Sequence, residues 1–210
     1  MRLLRVAQPF DHFDFIYEIK WDGFRALAYV EDGQCRLVSR NGHEFKQWPS
    51  LNREIGRTVQ CQAAILDGEV VCLDADGRAN FAALLFRRRT PYFCAFDVLA
   101  LNHRDMRALP LLVRKRRLLD VMPPVESHVR YVHHIHEQGS DFFELACQRD
   151  LEGIVAKWAH ATYQTAGCTS WLKLKNPSYS QVDGRHDLFE ARQSPIRPRR
   201  NRQPLSLVLA

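Results

Sequence analysis

The chain has 210 residues, of which 46% are hydrophobic and 26% charged, a balance typical of one globular domain with or without a tail. No uncharged run approaches the roughly 18 residues that a membrane-spanning helix needs. The early charges in Met1 to Arg5 leave no apolar stretch of signal-peptide length. These features argue against a membrane or secreted protein and favour a cytoplasmic one.

The formal net charge of +6 is unevenly placed. All 24 acidic residues precede position 192, whereas five of the 30 basic residues lie at or beyond it, so residues 1–191 carry a net charge of +1. A nucleic-acid site on that part of the chain would therefore be a local patch of basic residues.

Strands dominate the predicted elements. Alternating, β-branched and aromatic segments predict strands over 15–20, 24–30, 34–38, 63–73, 92–99, 129–135, 153–158 and 171–175. Turn signals separate several of them: Asp32-Gly33, Asn41-Gly42 and Asp76-Gly77. The last two are hairpin-type dipeptides, which favour antiparallel pairing.

Helices are fewer, and each has a start signal. Ser50 is predicted to cap a helix over about 51–59, and Asn80 one over about 81–88. Pro110 begins a third, and Ser140-Asp141 opens a fourth that ends near Arg149. Strands and helices do not alternate regularly, so the pattern predicts an α+β fold with antiparallel sheets.

The composition changes near position 192. Residues 193–204 hold three prolines and four arginines, too little apolar surface for a core. We therefore expect a folded domain over 1–192 and a basic, disordered tail over 193–210.

Cysteine and histidine spacing does not favour a metal centre. The six cysteines form no C-x-x-C pair and are expected to be free, mostly buried thiols. His133, His134 and His136 alternate along a predicted strand and would point to opposite faces.

The segment from Glu18 to Arg25, EIKWDGFR, carries the most chemistry. Lys20 ends a predicted strand in which Ile16, Glu18 and Lys20 share one face. A surface ion pair is the ordinary interpretation of a lysine between two acids. If this face lines a pocket, however, Lys20 becomes a desolvated nucleophile.

Three more strand-like runs contain polar residues. Leu66 to Val71 places Asp67 and Glu69 within apolar surroundings, where carboxylates are costly unless paired or metal-bound. In Leu151 to Lys157, Glu152 and Lys157 bracket an apolar strand. Along Trp171 to Lys175, Lys173 and Lys175 share a face that is either an anion site or a solvated sheet edge.

Taken together, these segments resemble the motifs of the covalent nucleotidyltransferases: DNA ligases, RNA ligases and mRNA-capping enzymes. The similar segments, in order, are Lys20 to Arg25, Ser39 to Gly42, Leu66 to Val71, Phe93 to Val98, Glu152 to Lys157 and Trp171 to Lys175. Residues 5–192 are most similar to the ATP-dependent ligase modules of bacterial non-homologous end joining.

The resemblance implies a covalent nucleotidyltransferase (ATP-grasp-like) fold, in which antiparallel sheets flanked by helices enclose a nucleotide cleft. It also implies ATP-dependent DNA ligase chemistry in three steps. Lys20 attacks the α-phosphate of ATP to give lysyl-AMP, AMP passes to a DNA 5′-phosphate at a nick, and a 3′-hydroxyl displaces the AMP. Lys173 and Lys175 would assist, because nearby cations lower a lysine pKa and stabilise phosphoryl charge.

The resemblance also implies ligand-binding roles. Phe96 would stack on adenine, and the backbone of Glu18 and Ile19 would read its edge. Glu152 and Glu69 would bind Mg²⁺ or Mn²⁺, with Glu69 alternatively bonding the ribose. Lys157 would contact the nucleotide. Arg25 would contact either the nucleotide or the DNA 5′-phosphate, and Arg40 would contact that 5′-phosphate.

The chain departs from complete ligases after the last motif. Those enzymes carry a further OB-fold domain, and residues 177–210 are too few to form one. The sequence thus resembles an adenylation domain alone, with nicked duplex DNA and a protein supplying the missing domain as expected partners, in a bacterial, nucleoid-associated setting. The alternatives are an RNA ligase or capping-type nucleotidyltransferase, or a catalytically silent nucleotide- or nucleic-acid-binding remnant.

Overall fold

The computed structural model describes residues 1–124, 127–163 and 169–182. Its strands are β1 (Leu4–Arg5), β2 (His12–Ile19), β3 (Phe24–Glu31), β4 (Gln34–Ser39), β5 (Ala63–Val71), β6 (Tyr92–Leu101), β7 (Arg104–Asp105), β8 (Val129–Tyr131), β9 (His134–Glu137), β10 (Gly153–Trp158) and β11 (Trp171–Lys175). The α-helices are α1 (Pro49–Thr58), α2 (Phe81–Leu85), α3 (Leu111–Val121) and α4 (Gly139–Gln148), and Ser180–Val182 forms a 3₁₀ turn.

The strands form two sheets. One has the order β1-β11-β10-β2-β9, and the other has the order β4-β3-β5-β6-β7 with β8 also paired to β6. Pairing is antiparallel except at β1–β11 and β6–β8. The predicted α+β fold with antiparallel sheets is thereby confirmed, with two short parallel pairings added.

Each sheet has its own hydrophobic core. The six-stranded sheet packs against α1, α2 and α3, where Leu51, Leu84 and Leu118 are buried against it. The five-stranded sheet packs against α4, and Tyr17 and Leu174 lie in that core. Because alternate residues of a strand face opposite sides, the other faces of β2, β10 and β11 are left to carry polar residues.

Two local predictions were wrong. The strand predicted over 129–135 is broken, because Val132 donates a hydrogen bond to Ala95 beside β6 and the chain then crosses to β2 in the other sheet. Ser50 does not cap α1, which begins at Pro49 after Trp48 with no side-chain cap. Proline suits the first helical position because its ring fixes φ and it has no N–H to satisfy.

Other local predictions were confirmed. Asn80 caps α2 by accepting a hydrogen bond from the Ala83 N–H at 2.8 Å, although that helix ends at Leu85. The five cysteines within the described ranges are free as predicted, but only Cys72 and Cys94 are buried; Cys35, Cys61 and Cys147 are half-buried. The sixth, Cys168, and the predicted tail over 193–210 lie outside the described residues.

No helix in the described part of the chain is both long enough and apolar enough to span a membrane.

Candidate nucleotidyltransferase site

Lys20 lies at the end of β2, beside the start of β10. Its N–H donates to the Gly153 carbonyl at 2.9 Å, which extends the β2–β10 pairing by one residue. The β10–β11 register places Gly153 opposite Lys175. Lys20, Gly153 and Lys175 therefore lie in a row across three neighbouring strands.

Glu152 joins the two lysines of this row. It precedes β10 and is 7% exposed; its Oε2 accepts a hydrogen bond from Lys20 Nζ at 2.6 Å, and its Oε1 lies 3.3 Å from Lys175 Nζ. Asp22, two residues after Lys20, instead accepts a hydrogen bond from the Tyr179 hydroxyl at 3.1 Å. The lysine of the motif is thus paired with an acid 132 residues away.

Arg25 and Asp67 form the corresponding pair on the six-stranded sheet. Arg25 donates to both oxygens of the fully buried Asp67, at 3.0 and 2.6 Å, and to the Met1 carbonyl at 2.7 Å. The Tyr163 hydroxyl donates a further hydrogen bond to Asp67 at 2.9 Å. The guanidinium is therefore anchored within the protein, and contact between Arg25 and a phosphate stays a prediction.

Glu69 lies opposite Arg25 in the β3–β5 register. Burial raises the pKa of its carboxyl to about 8; Lys20 and Arg25 oppose the rise, and the Glu152 carboxylate adds to it. Glu69 is half-buried, and a cation or a hydrogen-bond donor on a ligand would stabilise its ionised form.

Aromatic side chains line the cleft between the sheets. The Phe96 ring from β6 meets the Trp171 ring from β11 edge to face, with centroids 5.7 Å apart. Lys157 Nζ lies 4.4 Å from the Phe96 centroid and 4.0 Å from that of Trp171. These rings supply the flat apolar surface on which a base stacks.

Glu18 accepts hydrogen bonds from two lysines beneath these rings. Its Oε1 contacts Lys115 Nζ of α3 and its Oε2 contacts Lys157 Nζ of β10, both at 2.5 Å, and all three side chains are buried. Burial opposes ionisation of Glu18, but the two ammonium groups outweigh it and hold the pKa of the carboxyl below its ordinary value.

The structure places the remaining predicted site residues around the same cleft. Lys173 is half-buried and shares the cleft face of β11 with Trp171 and Lys175. Arg40 follows β4 and is exposed; because the register pairs Ala26 with Ser39, it lies next to Arg25. A crevice of about 840 Å³ is lined by Ile19 and Trp21, the residues on either side of Lys20, but not by Lys20 itself. All the predicted site residues are thus brought to one region, while their roles remain predictions.

The predicted metal ligands fit a cation only in part. In residues 1–124, 127–163 and 169–182, no three His, Cys, Asp or Glu side chains cluster closely enough to hold a metal ion. Glu69 and Glu152 supply hard carboxylate oxygens, and Mg²⁺ is commonly held by one or two carboxylates with substrate phosphates and water. The pair therefore suits a cation that arrives with a nucleotide.

Sequence reasoning missed Arg114 and Lys115 as part of the site. Arg114 is fully buried and donates to both oxygens of Asp97 at 2.8 Å, and Lys115 contacts Glu18. Their positions carried a signal: residues three, four and seven apart share a helix face, so both lie on the stripe of Leu111 and Leu118. Charged residues on a buried stripe need partners.

Comparison with known proteins agrees with this geometry. Residues 5–175 match the family described as ATP dependent DNA ligase domain. The chain belongs to this family.

Relatives of this ligase-family chain include the multifunctional non-homologous end joining protein LigD of Pseudomonas aeruginosa, 32% identical over 77% of the chain. The SPbeta prophage-derived DNA ligase-like protein LigB of Bacillus subtilis is 29% identical over 87% of the chain and is covered over 68% of its own length. The chain matches only 20% of the length of that LigD protein.

Solved structures agree on the fold of this ligase-family chain. The ligase domain of LigD from M. tuberculosis superimposes with a TM-score of 0.69 at 26% identity, covering 82% of this chain and 58% of that one. A mycobacterial DNA ligase D complexed with ATP and MES gives a TM-score of 0.67 at 26% identity, covering 82% and 60%. The predicted nucleotidyltransferase fold is confirmed.

Proposed function

We propose that the chain is an ATP-dependent DNA ligase-type adenylyltransferase that forms a lysyl-AMP on Lys20 and transfers AMP to the 5′-phosphate of nicked DNA. The observation that carries the proposal is the convergence of Lys20, Lys175 and Glu152 at one point, where Lys20 Nζ lies 2.6 Å from Glu152. Family membership and the ATP complex of a related ligase D support the choice of ATP.

Attack by Lys20 requires a neutral amine, whereas an ordinary lysine has a pKa near 10.4 and is protonated at neutral pH. Glu152 is placed to take the proton, since it already accepts a hydrogen bond from Lys20 Nζ. Lys175 and Lys173 share one face of β11 and would counter the charge that builds up on the transferring phosphate.

Glu69 and Glu152 are the residues that would hold a divalent cation, Mg²⁺ or Mn²⁺. When bound, such an ion would neutralise the charge on the nucleotide phosphates. Both side chains supply carboxylate oxygens, the ligands that Mg²⁺ prefers, and they interact: after burial, the Glu152 carboxylate contributes to raising the pKa of Glu69.

Base and DNA contacts complete the proposal. Phe96 stacks on adenine, and the backbone of Glu18 and Ile19 reads the edge of the base. The exposed Arg40, adjacent to Arg25, contacts the 5′-phosphate of the nick. A protein partner belongs to the same proposal.

Lys20→Ala tests the first step. Because the nucleophilic nitrogen is removed, we expect covalent labelling by ATP radiolabelled at the α-phosphate to disappear. Lys46→Ala, which removes an exposed lysine, should label as well as the wild type. Label retained by Lys20→Ala would refute the mechanism.

Transfer to nucleic acid tests the later steps. Pre-adenylated protein, freed of ATP, is offered nicked duplex DNA or nicked RNA, and AMP transfer and strand sealing are followed on gels. We expect AMP to reach the DNA 5′-phosphate more efficiently than the RNA one. Transfer to RNA alone would identify an RNA ligase, and transfer to neither would identify an adenylylating protein with a different acceptor.

A further inference from the structure

The fully buried Lys115 of α3 connects several elements around the cleft. It is 1% exposed, and Nζ lies within hydrogen-bond distance of Glu18 Oε1 at 2.5 Å, the Val132 carbonyl at 3.0 Å and the Phe96 carbonyl at 3.4 Å. An ammonium group has three N–H donors, so each has an acceptor. Lys115 thus ties β2 of one sheet to β6 of the other and to the segment after β8.

Two of these acceptors form walls of the proposed adenine pocket. Phe96 carries the proposed stacking ring, and Glu18 lies on β2, the strand that immediately precedes Lys20. Lys157 completes the connection, because it bonds the second oxygen of Glu18 and lies 4.4 Å from the Phe96 ring centroid. Phe96 is therefore held at its carbonyl by Lys115 and at its ring by Lys157, and one carboxylate links the two lysines.

Packing alone does not require a lysine at this position. Lys115 shares the buried stripe of α3 with Leu111 and Leu118, which are both fully buried. Desolvating an ammonium group costs free energy that only good hydrogen-bond geometry offsets, and an apolar side chain of similar volume often gives equal or greater stability. An apolar side chain cannot provide directional hydrogen bonds to one buried carboxylate and two backbone carbonyls on separate segments of the chain.

We infer that Lys115 is a positioning residue for base recognition, which sets the spacing between Phe96 and the strand that carries Lys20. The inference rests on the proposed adenylyltransferase function and deepens it. Lys115 acts through Phe96 and Glu18, without touching the nucleotide. The phosphate-binding side of the cleft, with Lys20, Lys173 and Lys175, does not depend on it.

Lys115→Met tests the inference, because methionine is an unbranched side chain of similar length that lacks the three N–H donors of the ammonium group. The rate of lysyl-AMP formation is measured against ATP and GTP concentration, together with inhibition by inorganic tripolyphosphate, which has no base. We expect the KM for ATP to rise by about tenfold or more and the preference for ATP over GTP to fall. The inhibition constant for tripolyphosphate should stay that of the wild type.

Two outcomes would overturn the inference. A folded Lys115→Met protein with wild-type KM and wild-type base preference would show that the spacing does not depend on this lysine. Equal weakening of ATP and tripolyphosphate would show a general structural role. If Lys115→Met fails to fold, Glu18→Gln provides the same test, since it removes the shared carboxylate charge; an unchanged ATP preference in that variant would overturn the inference.

A matched control comes from the same helix. Arg116→Met removes an exposed cation next to Lys115 and should behave as the wild type. Labelling of the wild type separates the two proposals. A wild type that takes up no label refutes the proposed function. If the wild type is labelled and Lys115→Met has the same KM and base preference, only the role of Lys115 is refuted.

Discussion

At the scale of single residues, the cleft is organised by charges that are each matched by a distant partner. Lys20 meets Glu152, Arg25 meets Asp67, and Glu18 meets two lysines. Breaking a buried pair by removing one partner typically costs about 3–5 kcal/mol, because a desolvated charge is left uncompensated. Several site residues are therefore expected to affect stability as well as catalysis, and each variant needs a folding measurement.

His134 gives this region a dependence on pH. Burial lowers the pKa of its imidazole to about 4, with Lys115, His136 and Lys157 contributing and Glu18 opposing. Its Nδ1 is buried and has no hydrogen-bond partner among the described residues. The folded protein therefore keeps His134 neutral at a pH where the unfolded chain, with an ordinary pKa of 6.5, takes up a proton.

The sign of the effect follows from this difference. Because the unfolded chain binds the extra proton, His134 lowers the free energy of unfolding progressively as pH falls from about 6.5 towards 4. We expect the free energy of unfolding of His134→Asn, measured by urea titration, to fall less steeply between pH 6.5 and 4 than that of the wild type. His133→Asn, which changes an exposed neighbour, should keep the wild-type slope. Parallel curves for His134→Asn and wild type would contradict the assignment.

At the scale of elements, the start of β10 determines whether the lysines can converge. Gly153 has φ of +137°, a region that non-glycine residues rarely adopt, and a Cβ there would overlap the Leu174 carbonyl of β11. The close approach of β10 and β11 keeps Glu152 between Lys20 and Lys175. A side chain at 153 would push the strands apart and move Glu152 away from both amines.

Gly153→Ala should therefore lower both stability and lysyl-AMP formation. The backbone strain alone is worth about 1–3 kcal/mol in unfolding free energy, measurable by urea denaturation. Gly77→Ala is the matched control, since Gly77 also has positive φ, +78°, but has no atoms near its would-be Cβ. We expect that variant to lose some stability and keep full labelling; a Gly153→Ala protein that labels normally would contradict the geometry.

At the scale of the whole molecule, the two sheets contribute different chemistry. The five-stranded sheet carries the proposed nucleophile Lys20 at the end of β2 and the lysines of β11, whereas the six-stranded sheet carries Glu69, Phe96 and the anchored Arg25. A nucleotide bound between them would contact both sheets. The helix α3 connects them through Arg114 to β6 and through Lys115 to β2 and β6.

The basic C-terminal residues predict a dependence of DNA binding on salt. Replacing Arg197, Arg199, Arg200 and Arg202 with glutamine removes four of the charges that give the chain its net +6. For each DNA phosphate that is no longer neutralised by an arginine, the slope of log affinity against log salt concentration should become shallower by about 0.9. Fluorescence anisotropy with nicked DNA at several salt concentrations measures it. Labelling by ATP should stay unchanged, and an unaltered slope would exclude these arginines from DNA binding.

The sequence by itself determined the strand periods, most turns, the order of the motifs and the residue types in the cleft. These follow from local rules, because side-chain alternation and turn chemistry depend on neighbours in the chain. The alternation of side chains predicts that Glu18 and Lys20 share one face of their strand and that Lys173 and Lys175 share one face of β11.

Only the tertiary structure decided which charges meet. Asp22 is two residues from Lys20, yet the partner of Lys20 is Glu152; Arg25 pairs with Asp67, 42 residues away. Strand register and helix packing select these partners, and no local pattern encodes them. The same applies to Lys115, whose three acceptors come together only when both sheets and α3 have packed.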